Sequence, residues 1–157
     1  MSEPQLILNW RDWPALSVDE LHALLQLRSA VFVVEQDCVF QDMDGLDPRC
    51  RHLCAFDGET LIGTLRLIPP AAGRLPLIGR VAVAQSHRGR GLGRELMNAA
   101  ISECERLWPN QAIQLAAQER LQRFYQSLAF ARCSERYLED GIWHIDMRRL
   151  ARSEPAA

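Results

Sequence analysis

Glycine recurs at alternate positions in the run Arg88-Gly89-Arg90-Gly91-Leu92-Gly93-Arg94. Without side chains, such positions let the backbone turn its N–H groups toward a common point, and the interleaved arginines add full positive charge. A helix starting at Leu92 would add unsatisfied donors and a positive dipole end to the same field, so a pyrophosphate is the natural ligand. Two commoner phosphate binders do not fit. The P-loop needs Gly-Lys-Ser/Thr, and the dinucleotide fingerprint needs a glycine where Arg94 stands. Taken alone, the run also fits a flexible basic turn or an Arg-Gly patch that touches RNA.

All 18 basic residues are arginine, which excludes a lysine Schiff base and a phosphate-loop lysine. Cys50, His52 and Cys54 alternate along a predicted strand and lack a second cysteine pair, so no metal site is expected. The five cysteines are odd in number and scattered, with no signal peptide before them, which points to reduced thiols in the cytoplasm. No apolar run approaches the ~20 residues of a membrane span. With 48% hydrophobic residues, 24% charged residues and a net charge of -2, a globular protein is expected, with neither nucleic acid nor membrane as partner.

The elements that must position the glycine run follow from periodicity. Leu6, Leu8 and Trp10 alternate as a first strand, and Ser17 with Glu20 forms a capping box that opens a helix. Its apolar stripe runs through Leu21, Leu24, Leu25, Val31 and Phe32, with Arg28 at the edge. The polar stretch from Gln36 to Arg51 reads as an ordered loop or short helix. His52–Phe56 and Leu61–Ile68 form a hairpin about Asp57-Gly58, and Leu77–Val83 is the next strand. The helix from Leu92 stops before Pro109, and Ala112–Ala117 follows as a buried strand, so strand, helix and strand make a parallel crossover unit. A short helix over Leu121–Leu128 and two strands, Ala131–Leu138 and Ile142–Arg149, joined at Asp140-Gly141, complete one domain over residues 1–150. The tail 151–157 reads as frayed. An edge strand near the C-terminus would support a homodimer.

Val81-Ala82-Val83, then Arg88-x-x-Gly91-x-Gly93, then Phe124-Tyr125 and Phe130, resemble the acetyl-CoA-binding motifs of the GNAT acetyltransferase superfamily. Leu27-Arg28, Val31 to Gln36, Asp42 to Asp47 and Glu139 to Ile142 with His144 further resemble its small bacterial ElaA-like branch. The resemblance spans nearly the whole chain. It implies an α/β fold with a mixed sheet of six to seven strands, splayed between two parallel strands and flanked by helices. It implies that the backbone of Val81, Ala82 and Val83 pairs with the pantetheine arm of acetyl-CoA, and that amides from Arg88, Gly89, Arg90, Gly91, Leu92, Gly93 and Arg94 hold the pyrophosphate. Gln118 stands where many members carry asparagine, which weakens its expected pantetheine contact. Ala129 replaces the usual glycine before Phe130, so the turn there must tolerate a side chain.

The activity so implied moves an acetyl group from a thioester to an amine. Tyr125 matches the family's thiolate-protonating tyrosine, against the reading that it merely packs beside Phe124. Glu35, at the end of the first helix, and His144, in a late strand, are candidate bases, against a solvated helix end and a structural histidine. Asp42 and Asp44 form, with Asp47, an acidic cluster that would attract a cationic acceptor or simply form turns. Arg28 would bind an acceptor carboxylate or tie Glu35 down, and Gln36 falls in the same stretch. The alternative function is a catalytically silent acyl-CoA sensor.

Overall fold

The computed structural model describes residues 5–152. One sheet of eight strands organises them, in the order β1-β2-β3-β4-β5-β8-β6, with β7 also paired to β8. The strands are β1 (Leu6–Asp12), β2 (Arg51–Asp57), β3 (Thr60–Ile68), β4 (Leu77–Val83), β5 (Ile113–Gln118), β6 (Ala131–Arg132), β7 (Tyr137–Glu139) and β8 (Ile142–Arg149). All neighbours are antiparallel except β4 and β5. That parallel pair flanks helix α2 (Leu92–Leu107) in sequence, as the crossover pattern predicts.

Helix α1 (Val18–Arg28) starts on the expected capping box: Glu20 N–H donates to Ser17 Oγ (2.9 Å) and Ser17 N–H to Glu20 Oε1 (3.0 Å). The chain then continues as a wider π-helical extension, Ser29–Glu35, and closes the following loop with a 3-10 turn at Asp47–Arg49. Leu27 and Val31 pack on Ala82 of β4, so this helix covers one face of the sheet. Helix α2 covers the other, burying Leu92, Leu96, Met97, Ala100, Ile101 and Cys104 against Leu53, Leu65, Leu115 and Met147. The alternation in β5 follows from this asymmetry. Ile113, Leu115 and Ala117 join the α2 core, whereas Gln114, Ala116 and Gln118 turn to the less covered face.

Two expected elements differ. Ala131–Leu138 is not one strand but β6 and β7 with an excursion between them. Asp146 captures the excursion. Cys133 N–H donates to its carbonyl (2.9 Å), its own N–H donates to Ser134 Oγ (2.8 Å), and Tyr137 O–H donates to its carboxylate (2.6 Å). Two of these three bonds use side chains, in place of ladder bonds that a continuous strand would make. The helix expected over Leu121–Leu128 begins as a 3-10 turn at Glu119–Leu121 and becomes α3 only over Gln122–Gln126. The Asp140-Gly141 turn has φ of 49° and 78°, the paired left-handed conformation that suits this dipeptide in a two-residue hairpin. Residues 153–157 of the expected tail lie outside the described residues.

Candidate active site

Strands β4 and β5 meet only where they begin, at Leu77 and Gln114, where Gln114 N–H donates to Pro76 O (3.0 Å). Beyond that point they part, and a gap opens toward their C-terminal ends. Such an end is where ligands lie in sheets with parallel strands. The divergence has a local cause in β4. Between the pairs Arg66–Gly79 and Thr64–Ala82, Leu65 alone opposes both Arg80 and Val81, so β4 carries a bulge, which bends and twists a strand. Further on, Ala84 N–H donates to Ile62 O (2.8 Å), so the even-numbered residues bond to β3 and Val83 turns its own N–H and C=O toward the gap.

The glycine run lies at the mouth of this gap. Gly89 and Gly91 have φ of 77° and 81°, and Gly91 is the N-cap of α2. A side chain at either would be strained, so both glycines are needed to turn the loop. Gly93 is not: it belongs to the first turn of α2 and faces Phe124, 3.8 Å from where a Cβ would stand. Arg94 reaches to α3, donating to Ser127 Oγ (2.9 Å) and lying over Phe124. Arg88 crosses the gap's edge: its Nε and second terminal nitrogen donate to Val83 O (3.1 and 3.0 Å), and its other nitrogen to Glu35 (2.8 Å). That pair is about one-third exposed on each side, so it is worth at most ~1 kcal/mol and is readily exchanged. Arg90 lines a recess of about 210 Å³ behind the loop with Asp57, His87 and Glu95. The loop thus offers turned backbone donors, a helix N-terminus of 16 residues and arginines, the donor set that an acyl-CoA pyrophosphate fits.

A second group gathers on the less covered face of the sheet. Gln118, His144 and Tyr137 oppose one another across β5, β8 and β7, which places their side chains in a row. Gln118 Nε2 donates to Gln36 Oε1 (3.2 Å), which ties the end of β5 to the residue following the π-helical extension. His144 Nδ1 donates to Ile142 O (2.8 Å), leaving Nε2, 3.6 Å from Glu139, as the nitrogen able to accept a proton. Cys38 Sγ donates to Asp140 O (3.1 Å), so the β7–β8 turn closes on the same loop. Tyr125 lies apart from this row, on α3, one 3-10 turn beyond β5, in edge-to-face contact with Phe124 and Phe130. It is 7% exposed, and burial pushes its phenol up to about 12. The hydroxyl therefore keeps its proton at neutral pH.

Arg28 takes neither of its expected roles. It is 1% exposed and donates to Asp42 (2.9 Å) and to both oxygens of Asp47 (2.7 and 3.2 Å), while Glu35 pairs with Arg88 instead. Asp42 and Asp44 are likewise engaged. Arg66 donates to Asp44 (2.9 and 2.5 Å) and Asp47 (3.0 Å), and Arg80 sits 2.8 Å from Asp42 and 3.4 Å from Asp44. Three arginines thus face three aspartates, which cancels the negative charge expected to draw a cation. Asp44 is held far below the usual carboxylate range by the Arg66 hydrogen bond. Burial pushes Asp47 up, but Arg28 and Arg66 outweigh it and the net shift is down. Arg66 and Arg80 escaped the sequence reading, although each interrupts an apolar strand, where a charge must find a partner.

A family model described as the acetyltransferase (GNAT) domain matches residues 20–151. The chain belongs to the GNAT acetyltransferase family. It is 43% identical over 148 residues to protein ElaA of Escherichia coli, covering 91% of this chain and 97% of that one. An acyl-CoA N-acyltransferase from Pseudomonas aeruginosa superposes with a TM-score of 0.89 at 43% identity, over 92% of this chain and 99% of that one. The crystal structure of Escherichia coli ElaA gives 0.86 at 40% identity, with the same coverage. A GNAT acetyltransferase from Elizabethkingia anophelis with acetyl-CoA bound gives 0.64 at 14% identity over 94% of this chain and 99% of that one, a likeness of fold alone. As an ElaA-like member of this α/β family, the domain is of a kind that uses acyl-CoA and carries out acyl transfer.

Proposed function

We propose that this domain transfers the acetyl group of acetyl-CoA to a primary amine by direct attack on the thioester. The observation that carries the reading is the gap between β4 and β5, with the Val83 backbone turned into it and the glycine loop at its mouth. Bound there, acetyl-CoA supplies an activated acyl carbon and a thiolate leaving group. Backbone amides of Gly89 to Arg94 would hold the pyrophosphate, and Arg88 would leave Glu35 and Val83 O to meet its charge. The N–H groups of Val81 and Val83, on the side of β4 turned away from β3, would polarise the thioester carbonyl in a water-poor cleft. As the new C–N bond forms and the C–S bond breaks, Tyr125 would give its proton to the departing sulfur. Glu35, once released by Arg88, or His144 Nε2 would take the proton lost by the amine, directly or through water. Gln36 and Gln118, joined across the gap, would border both substrates.

A sensor without turnover has one observation in its favour: Arg88 engages Glu35, one of the candidate bases. Calorimetric titration with acetyl-CoA, CoA and ATP, followed by CoA release across a panel of primary amines, separates the readings. The enzyme reading expects one-to-one acetyl-CoA binding, much weaker ATP binding and amine-dependent release. Gly91→Val should lower affinity by about 100-fold or more, since a β-branched residue resists the left-handed conformation. Tyr125→Phe should cut turnover by about 10-fold to 1000-fold while binding survives. Binding with no release for any amine would favour the sensor, and no binding by folded protein would sink both. We further read residues 1–150 as a single domain in the cytoplasm, with no nucleic acid or membrane partner. A homodimer through the C-terminal edge is open to light scattering.

A further inference from the structure

The bulge in β4 is built on a residue that does not favour it. Arg80 has φ of 51°, a left-handed conformation that strains a side-chain-bearing residue and persists only when its surroundings enforce it. The enforcing contacts come from the loop between the π-helical extension and β2. The Arg80 guanidinium donates to Asp42 O (3.1 Å) and to Asp44 Oδ2 (3.4 Å), and lies 5.8 Å from the Phe40 ring. Its Nε stands 2.8 Å from Asp42 Oδ1, close enough for an ion pair although off-line for a hydrogen bond.

That loop is not free to follow Arg80. Asp42 is fixed by Arg28 from α1, Asp44 by Arg66 from β3, and Asp47 by both. Arg28 and Arg66 are 1% and 3% exposed, so neither can exchange these partners for water without leaving a buried charge. Arg80 is thereby bolted to both α1 and β3 through two carboxylates. One residue after it begins Val81-Ala82-Val83, and the direction of those peptide groups depends on the dihedral angles at Arg80.

We infer that Arg80, clamped by Asp42 and Asp44, is a positioning residue: it holds the β4 bulge and so sets how the backbone of Val81 to Val83 faces the gap. The acidic loop then serves the reaction by shaping the strand, not by drawing in the acceptor. The inference rests on the acyl-CoA reading of that gap for its catalytic consequence, and on geometry alone for its structural one.

Arg80→Gly separates strain from clamp, because glycine adopts the same φ freely and the strand should still fold. In ligand-free protein, NMR amide exchange at Ala82 and Ala84, whose N–H groups bond to β3, should quicken by about 10-fold or more in Arg80→Gly and in Asp42→Asn. With acetyl-CoA and the amine that gives the fastest CoA release, kcat should fall about 10-fold to 100-fold in both variants. The Kd for acetyl-CoA should rise by no more than about 3-fold, because the pyrophosphate loop is untouched and only the pantetheine pairing along Val81 to Val83 is loosened. Arg80→Lys, which keeps the charge without the planar fork, should recover part of kcat. Unchanged amide exchange in both variants would overturn the clamp, as would wild-type kcat in Arg80→Gly, or kcat and Kd failing together. If the wild-type protein does not bind acetyl-CoA, the acyl-CoA reading falls on that result, while amide exchange still judges the clamp.

Discussion

The two loops that border the gap are built on opposite principles. On one side, Arg88 to Arg94 is a backbone device: two left-handed glycines, a helix start, and arginines that reach outward or along the edge. On the other, residues 36–50 are held by side chains, through the cage of Arg28, Arg66 and Arg80 with Asp42, Asp44 and Asp47. A backbone device is local and tolerates changes of side chain between its glycines. A cage is collective, since Arg28, Arg66 and Asp47 are buried only on the strength of their partners, and its six charges come from four separate segments of chain. On the acyl-CoA reading proposed above, the two sides should fail differently, the first by loss of ligand and the second by loss of fold.

The largest test removes a corner of the cage. Arg28→Met takes from Asp42 its buried partner and from Asp47 one of two, and should cost about 3–5 kcal/mol. The melting temperature should fall on the order of 10 °C, while acetyl-CoA affinity measured well below the melt stays near the wild-type value. A drop of only a degree or two would mean that the loop does not depend on its cage.

Acid should separate the two sides next. Asp44 and Asp47 have depressed pKa values in the fold, so their contribution to stability is complete above the unfolded value of about 4 and is lost as pH falls through the lower folded values. His52, whose Nε2 donates to Asp47 O (2.9 Å), is also depressed, chiefly by burial. A histidine kept neutral contributes fully above its unfolded value of about 6.5 and loses that contribution as pH falls toward its folded value. Melting temperature plotted against pH should therefore decline in two stages, the first below about pH 6.5 and the second below about pH 4. His52→Gln should erase the first stage alone; a profile unchanged by that substitution would remove His52 from the account.

The smallest effect belongs to a second backbone device, the turn after α3, outside both loops. Ala129 has φ of 67°, as its place in a turn that usually holds glycine foreshadows. Ala129→Gly should relieve the strain, partly offset by the greater freedom of glycine in the unfolded chain, for a net gain of about 0.5–1 kcal/mol. A melting temperature raised by roughly 2–3 °C would match, and a fall would show that Ala129 packs better than it strains.

What could be read without a structure follows the same division. The sheet's main strands, the capping box at Ser17, the glycine turn into α2 and the family were legible because each is written in a short window: alternation, an i to i+3 pair, glycines at fixed offsets. The places where reading failed involve residues far apart in the chain. The break in the strand after Arg132 depends on Asp146, and Asp44, which forms the expected turn by accepting from Leu46 N–H, is also paired with Arg66 and Arg80, 22 and 36 residues away.

By itself, then, the sequence determined where the backbone can turn and which faces must be buried, because these are properties of neighbouring residues. Only the tertiary structure decided that β4 parts from β5 at a bulge, that Glu35 meets Arg88, that Gln36 meets Gln118, and that the acidic loop is neutralised. Each of those depends on which distant charge or amide arrives at a given distance, and the pattern of one segment cannot carry that.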